Sequence, residues 1–333
     1  MPDWLVLRFG SLGDLCLLGW SLSALADGTD DTRPRVTIAT KAAFAPLVSR
    51  FHGVASVEPL RGSDLGPLRD LAGRLRRGHW HRVVDAHNVL RSHALLALVG
   101  RRADARLAKD TAARLRLLSG GPDSAPLART MVDRFDQCLL QDGAVTGGRR
   151  PPLAATSGAR IANGAAPLGM APGARWATKR WPEHHWVALI EGLAADGERD
   201  LRLFLGPDER AWFAGSRLQG AAVAAGAVVI EGLGLPDVAD AVGACRRLVT
   251  NDSGLLHLAE ATGTPVLAFF GPTVRQFGYF PRLEASLVLE HEIDCRPCSR
   301  NGKRPCHRGD LACLESVLPA TALAALRAER KQP

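Results

Sequence analysis

What most restricts the fold of this chain is a rhythm: short apolar or β-branched runs, each followed by a helical pattern, recur through both halves of its 333 residues. In the first half, residues 5–9, 36–39 and 82–85 read as buried strands, and 15–26, 65–77 and 93–99 as helices. Between 143 and 167 the composition turns to Gly, Pro, Ala, Ser and Arg without an apolar period, which predicts a linker. The rhythm then resumes, with strands expected at 167–171, 201–205, 228–230, 247–250 and 266–270 and helices at 182–195, 209–225, 236–244 and 255–262. Such alternation builds βαβ units on parallel sheets, and 333 residues exceed what one core usually organises. The expectation is an α/β protein of two Rossmann-like domains, 1–155 and 165–318, facing each other across a cleft, with a helical tail at 319–333.

Open α/β sheets bind ligands outside the carboxyl ends of their strands, so the turns that follow strands are where chemistry is sought. Three stand out. The first, R-F-G-S-L-G-D, places Gly10, Ser11, Gly13 and Asp14 between a strand and a helix. A helix amino terminus favours anionic ligands, and a carboxylate there either stabilises the first turn or has a task of its own. Gly10 and Gly13 give G-x-x-G rather than the G-x-G-x-x-G of dinucleotide binders, which argues against an NAD oxidoreductase. The second turn, A-T-K-R-W-P-E, sets Lys179 and Arg180 just before a helix that starts at Pro182. Two cations beside a helix amino terminus repel its partial charge unless an anion lies between them, which suggests a phosphate or diphosphate. The third, N-D-S-G-L-L-H-L-A-E, carries Asn251, Asp252 and Ser253 at a strand end. Capping the next helix accounts for one such polar residue; sugar hydroxyls could engage the others. His257, one helical turn past Ser253, is by itself more often a packed residue than a catalyst.

Charge agrees with anionic partners: 42 Lys and Arg against 34 Asp and Glu give +8. Nucleic acid is disfavoured because the chain has one Tyr and no interleaving of aromatics with basic residues. The start lacks a basic signal-peptide region, and no apolar run reaches the roughly 18 residues a spanning helix needs, so a cytoplasmic protein with at most peripheral contact at an anionic membrane face is expected. Cys295, Cys298, Cys306 and Cys313 form the pattern C-x2-C-x7-C-x6-C, whose readings are a structural zinc site, free thiols, a disulfide or an iron–sulfur cluster. His307 could replace Cys306 as a ligand.

Together, L-V-L-R-F-G-S-L-G-D, R-V-V-D-A-H-N-V-L-R-S, T-K-R-W-P-E and N-D-S-G-L-L-H-L-A-E-A-T-G-T-P-V-L-A-F-F-G-P-T, in that order, resemble the motifs of glycosyltransferase family 9, the ADP-heptose:lipopolysaccharide heptosyltransferases. The resemblance implies a GT-B fold and an inverting reaction that needs no catalytic metal. It implies an ADP-heptose donor on the second domain and a lipopolysaccharide inner-core or related glycan acceptor on the first. Asp14 would be the catalytic base. Thr178, Lys179, Arg180, Asn251, Asp252, Ser253, Gly254, His257, Gly271, Pro272 and Thr273 would bind donor, and Gly10, Ser11, Gly13, His87 and Arg91 acceptor. Asn88 stands where many members carry glycine. Another nucleotide sugar, or a binding protein without turnover, are the alternatives.

Overall fold

A computed structural model describes residues 1–28, 33–140, 150–153 and 166–330; most of the expected linker lies outside them. The chain divides into two compact units. Unit 1 is Met1–Thr111 with Ala125–Ala154, and unit 2 is Ala112–Ser124 with Ala155–Pro333.

Unit 1 runs β1 (Asp3–Leu7), α1 (Leu12–Asp27), β2 (Arg35–Lys41), α2 (Ala45–Val48), β3 (Val54–Leu60), α3 (Leu65–Leu75), β4 (Arg82–Asp85), α4 (Leu90–Val99) and β5 (Ala105–Arg106). α5 (Thr111–Leu118) follows, lying mostly in unit 2, and α6 (Met131–Leu140) returns to unit 1. The sheet has the order β3-β2-β1-β4-β5, all parallel. Leu5, Val6, Leu7, Val83 and Val84 are fully buried, so β1 and β4 are covered on both faces and show no alternation of polar and apolar residues. β3 was not expected. It is an edge strand in which only Leu60 is fully shielded, and it contains Pro59, which an edge tolerates because one side of its backbone needs no partner.

Unit 2 runs β6 (Leu168–Ala171), α7 (Glu183–Ala195), β7 (Leu201–Phe204), α8 (Arg210–Phe213), α9 (Arg217–Ala224), β8 (Val228–Ile230), α10 (Leu235–Gly243), β9 (Arg247–Asn251), α11 (Gly254–Thr262), β10 (Val266–Phe270), β11 (Leu287–Glu290), α12 (Ala312–Glu315) and α13 (Pro319–Arg330). Its sheet is also parallel, in the order β11-β10-β9-β6-β7-β8. The single helix expected over 209–225 is two helices. Gly215 adopts φ +75°, which ends the first, and Ser216 caps the second by accepting from the Gln219 amide at 3.1 Å. The core of this unit centres on Trp181, stacked on Phe269 with centroids 4.0 Å apart and met edge-on by Trp186. α13 belongs to the same core through Ala322 and Leu326, and Arg327 clamps Asp196 at 2.6 Å. No helix among the described residues is long and apolar enough to cross a membrane.

Candidate active site

In a doubly wound sheet the loops leave in opposite directions where the strand order reverses, and the crevice opened there holds ligands. In unit 1 that point lies between β1 and β4, and in unit 2 between β6 and β9. Every turn singled out in the sequence follows one of these four strands, apart from Gly271–Thr273, which follow β10 beside β9.

The chain leaves β1 through Arg8 and Gly10, whose φ of +143° a side chain would resist, and whose missing Cβ would stand 3.1 Å from the Phe44 ring. Ser11 is the N-cap of α1, and Asp14 lies in the first turn. Asp14 Oδ2 accepts from the Ser11 amide at 3.2 Å and the Ser11 hydroxyl at 2.8 Å, and pairs with Arg8 Nη2 at 2.6 Å. Arg8 is itself buried and donates through Nη1 to the Ala86 carbonyl at 2.6 Å, so it ties the two switch-point loops together. Burial pushes the Asp14 carboxyl upward. The Arg8 guanidinium and the Ser11 hydrogen bonds outweigh it and hold the group below the usual carboxylate range. Asp14 thus lies in the first turn of α1, bonded to its N-cap, and stands as a carboxylate at the switch point.

After β4, the fully buried Asp85 shapes the second loop by accepting from the amides of His87 (3.1 Å) and Asn88 (2.7 Å) and from Ser92 Oγ (2.8 Å). Asn88 adopts φ +50°, the left-handed conformation in which asparagine is the best substitute for glycine, so the departure from the family pattern preserves the backbone. Its side chain adds bonds to the Leu107 carbonyl (2.9 Å) and His93 (2.9 Å). His87 Nδ1 accepts from the Phe9 amide at 3.3 Å, and burial, followed by the charges of Arg8 and Lys109, lowers its pKa to about 4. At neutral pH it is an uncharged donor through Nε2. Arg91 points elsewhere, reaching the Ser63 carbonyl at 3.3 Å.

In unit 2, Asn251 is a staple. Its Oδ1 accepts from the Trp181 amide at 2.9 Å and its Nδ2 donates to the carbonyls of Pro172 and Gly173 at 2.7 and 3.2 Å, which fixes the β6 loop against the end of β9. The staple brings Lys179 Nζ to 2.5 Å from Asp252 Oδ2, which also accepts from Thr273 Oγ1 at 2.6 Å. Lys179 and Asp252 are 14% and 7% exposed, a largely desolvated pair. Arg180 does not join them. Its Nε donates to the Ala174 carbonyl at 2.9 Å and its guanidinium lies 5.7 Å from the Trp212 ring. The Thr178 hydroxyl donates to the Gly302 carbonyl. Ser253 is the N-cap of α11, which begins at Gly254, and its hydroxyl lies 3.4 Å from that of Thr250. Gly271 and Pro272 are buried; a Cβ on Gly271 would stand 2.7 Å from Leu314. His257 is buried, its ring 6.1 Å from that of Tyr279.

Two features were not singled out in the sequence. Arg8 precedes the first glycine and sets the charge state of Asp14. Glu209, after β7, accepts from the Gly206 amide and lies over Gly173, where a Cβ would come within 2.0 Å of its carboxylate. An acid following the second strand of a nucleotide-binding unit was the available signal for it.

No disulfide joins Cys295, Cys298, Cys306 and Cys313. Burial, and then the neighbouring cysteines, push Cys298 upward, and burial followed by Cys298 takes Cys313 to about 11. Among the described residues, three metal-ligating atoms come within 4.8 Å of one another at His184, His185 and Glu315, a group that includes none of these cysteines. There His185 Nε2 lies 3.0 Å from the Glu315 carbonyl, and the group ties α7 to α12.

Two doubly wound parallel units, each gathering polar side chains at its switch point, define a glycosyltransferase of the GT-B class. The solved structures agree in fold. The Escherichia coli ADP-heptose lps heptosyltransferase II superposes with a TM-score of 0.72 at 22% identity, covering 98% of each chain. An Escherichia coli heptosyltransferase solved with ADP-2-deoxy-2-fluoro heptose gives 0.69 at 18% identity, over 98% of this chain and 99% of that one. In sequence, the chain is 30% identical over 322 residues to lipopolysaccharide heptosyltransferase 1 of Pseudomonas aeruginosa, 88% of this chain and 85% of the relative. The family model for glycosyltransferase family 9 (heptosyltransferase) matches residues 68–306, and the chain belongs to that family.

Proposed function

We propose that the chain transfers a heptose from ADP-heptose to a lipopolysaccharide inner-core acceptor with inversion, unit 2 holding the donor and unit 1 the acceptor. The acceptor hydroxyl loses its proton to Asp14 as its oxygen attacks the anomeric carbon. The bond from that carbon to the diphosphate oxygen breaks, and ADP departs with the electron pair. Lys179 and the amino terminus of α7 neutralise the charge that gathers on the leaving phosphate. Asp252, with Thr273 donating to it, orients the Lys179 ammonium and offers its remaining acceptor capacity to sugar hydroxyls. Neutral His87 can donate through Nε2 to an acceptor oxygen.

The observation that carries this reading is the state of Asp14: a carboxylate at the β1/β4 switch point, held ionised by Arg8 and therefore able to take a proton at any physiological pH. Support for the donor comes from the similarity to lipopolysaccharide heptosyltransferase 1 of Pseudomonas aeruginosa and to the Escherichia coli heptosyltransferase solved with an ADP-heptose analogue. The test is turnover of ADP-heptose with an inner-core acceptor, followed by release of ADP. Release that requires a different nucleotide sugar would replace the donor assignment. Saturable ADP-heptose binding without any release would replace transfer by binding.

A further inference from the structure

Within unit 2, the loop carrying the cysteines lies beside α5, and the two line an open, concave pocket of about 370 Å³ whose walls include Leu115, Leu118, Ser299, Arg300, Lys303 and Arg304. One wall is apolar, from α5. The other carries three cations. Arg300, Lys303 and Arg304 have no carboxylate partner among the described residues, whereas the other arginines of the same loop are paired, Arg296 with Glu290 at 2.6 Å and Arg308 with Asp310 at 2.9 Å.

The turn that presents these cations is ordered from within. The buried Ser299 hydroxyl accepts from the amides of Gly302 (2.9 Å) and Arg304 (3.4 Å), and Gly302 adopts φ +84°, which allows the chain to reverse. Three like charges on so tight a turn repel one another, and in a concave site with a low-dielectric wall their combined field concentrates anions. Arginine forks and a lysine ammonium together suit a phosphate, whose several oxygens accept from all three.

We infer that this pocket binds a phosphate ester carried on an apolar body, the phosphate against Arg300, Lys303 and Arg304 and the apolar part against Leu115 and Leu118. The site goes beyond the transfer reaction and does not depend on it. It uses none of the side chains assigned to chemistry, although Gly302 in the same turn lies against the Lys179 stem and receives the Thr178 hydroxyl.

The test is calorimetric titration of the full chain with dodecyl phosphate below its micelle concentration, with inorganic phosphate, and with dodecyl maltoside as a neutral amphiphile. Dodecyl phosphate should bind and the maltoside should not. The variant Arg300→Gln/Lys303→Gln/Arg304→Gln, which changes only exposed side chains, should keep the wild-type melting temperature and lose affinity for dodecyl phosphate by about tenfold or more. Leu115→Ser/Leu118→Ser should weaken dodecyl phosphate and leave inorganic phosphate unchanged. The inference is overturned if the triple variant binds as wild type does. It is also overturned if inorganic phosphate binds as tightly as the ester, which would make the source free phosphate, or if ADP displaces the ester competitively, which would make this the donor's own diphosphate site.

Discussion

Replacing Asp14 with Asn separates the two functions that the structure gives this carboxylate. Asparagine keeps the shape, and its carbonyl can still accept from Ser11, so the start of α1 survives. What is lost is the charge. Arg8, 6% exposed and 2.6 Å from the carboxylate, becomes an unpaired buried cation, and removing one member of such a pair costs about 3 to 5 kcal/mol of stability. Arg8 retains its bond to the Ala86 carbonyl, which places the expected cost near the lower end. The catalytic loss is distinct: removing a general base typically lowers kcat by about 10²- to 10⁴-fold. Because Arg8 holds Asp14 below its ordinary pKa, the stabilisation from the pair is complete above the unfolded value of 3.8 and is lost as pH falls through the folded value; the Asn variant should lack that acid dependence. The assay is ADP release at saturating ADP-heptose and acceptor, run below the variant's melting temperature, with ADP affinity measured by calorimetry. The expected result is a collapse in kcat with ADP affinity unchanged. Arg8→Gln supplies the contrast: it breaks the same ion pair and leaves the carboxylate, so it should lose stability yet keep measurable turnover, with the acid limb of kcat/KM displaced to higher pH. If Arg8→Gln and Asp14→Asn lost the same activity, or if ADP affinity fell in step with kcat, Asp14 would be a structural anchor and the proposed base would be wrong.

Lys179→Met should weaken ADP binding by about 10- to 100-fold, the equivalent of a charge-assisted hydrogen bond of roughly 1.5 to 3 kcal/mol, and calorimetry with ADP checks it. Asn88→Gly and Asn88→Val both delete the side-chain bonds to Leu107 and His93, but only valine opposes φ +50°, so Asn88→Val should be less stable than Asn88→Gly by roughly 1 to 3 kcal/mol in chemical denaturation. His87, neutral in the fold down to a pKa of about 4, takes up its proton in the unfolded chain from about 6.5, so it makes stability fall as pH drops through that interval. His87→Gln should flatten the slope of urea-unfolding free energy there, and an unchanged slope would contradict the burial assigned to the ring.

Much of the architecture was legible because βαβ units announce themselves. The fully buried strand 266–270 and the exposed edge strand 228–230 both stood out as apolar runs, and Ser, Pro and Gly marked the turns beside them. What escaped had weak local signals. β5 is two residues long, β3 is an exposed edge interrupted by proline, and α5 is a short helix whose one buried residue is Arg114, so none carried a period to read. Among the site residues, Asp14, Lys179 and Asp252 were legible as polar residues in turns after strands. Arg8 was quoted in its motif and given no task, because its task exists only in relation to Asp14 and to the Ala86 carbonyl of another loop. Arg180 shows the converse: adjacent in sequence to Lys179, it is drawn to Ala174 and Trp212 by the short turn of helix ending at Lys179.

The sequence by itself determined the alternation of elements, the turns that could carry chemistry and the family, since each is written in local spacing and residue type. Tertiary structure decided which strands are neighbours, and with that which turns share a crevice. Lys179 meets Asp252 because β6 lies beside β9 and Asn251 pins their loops together, and Asp14 is held ionised because Arg8 is buried within reach of it. Charge state and partnership depend on distance and desolvation between groups far apart in the chain, and those quantities exist only once the sheet has assembled.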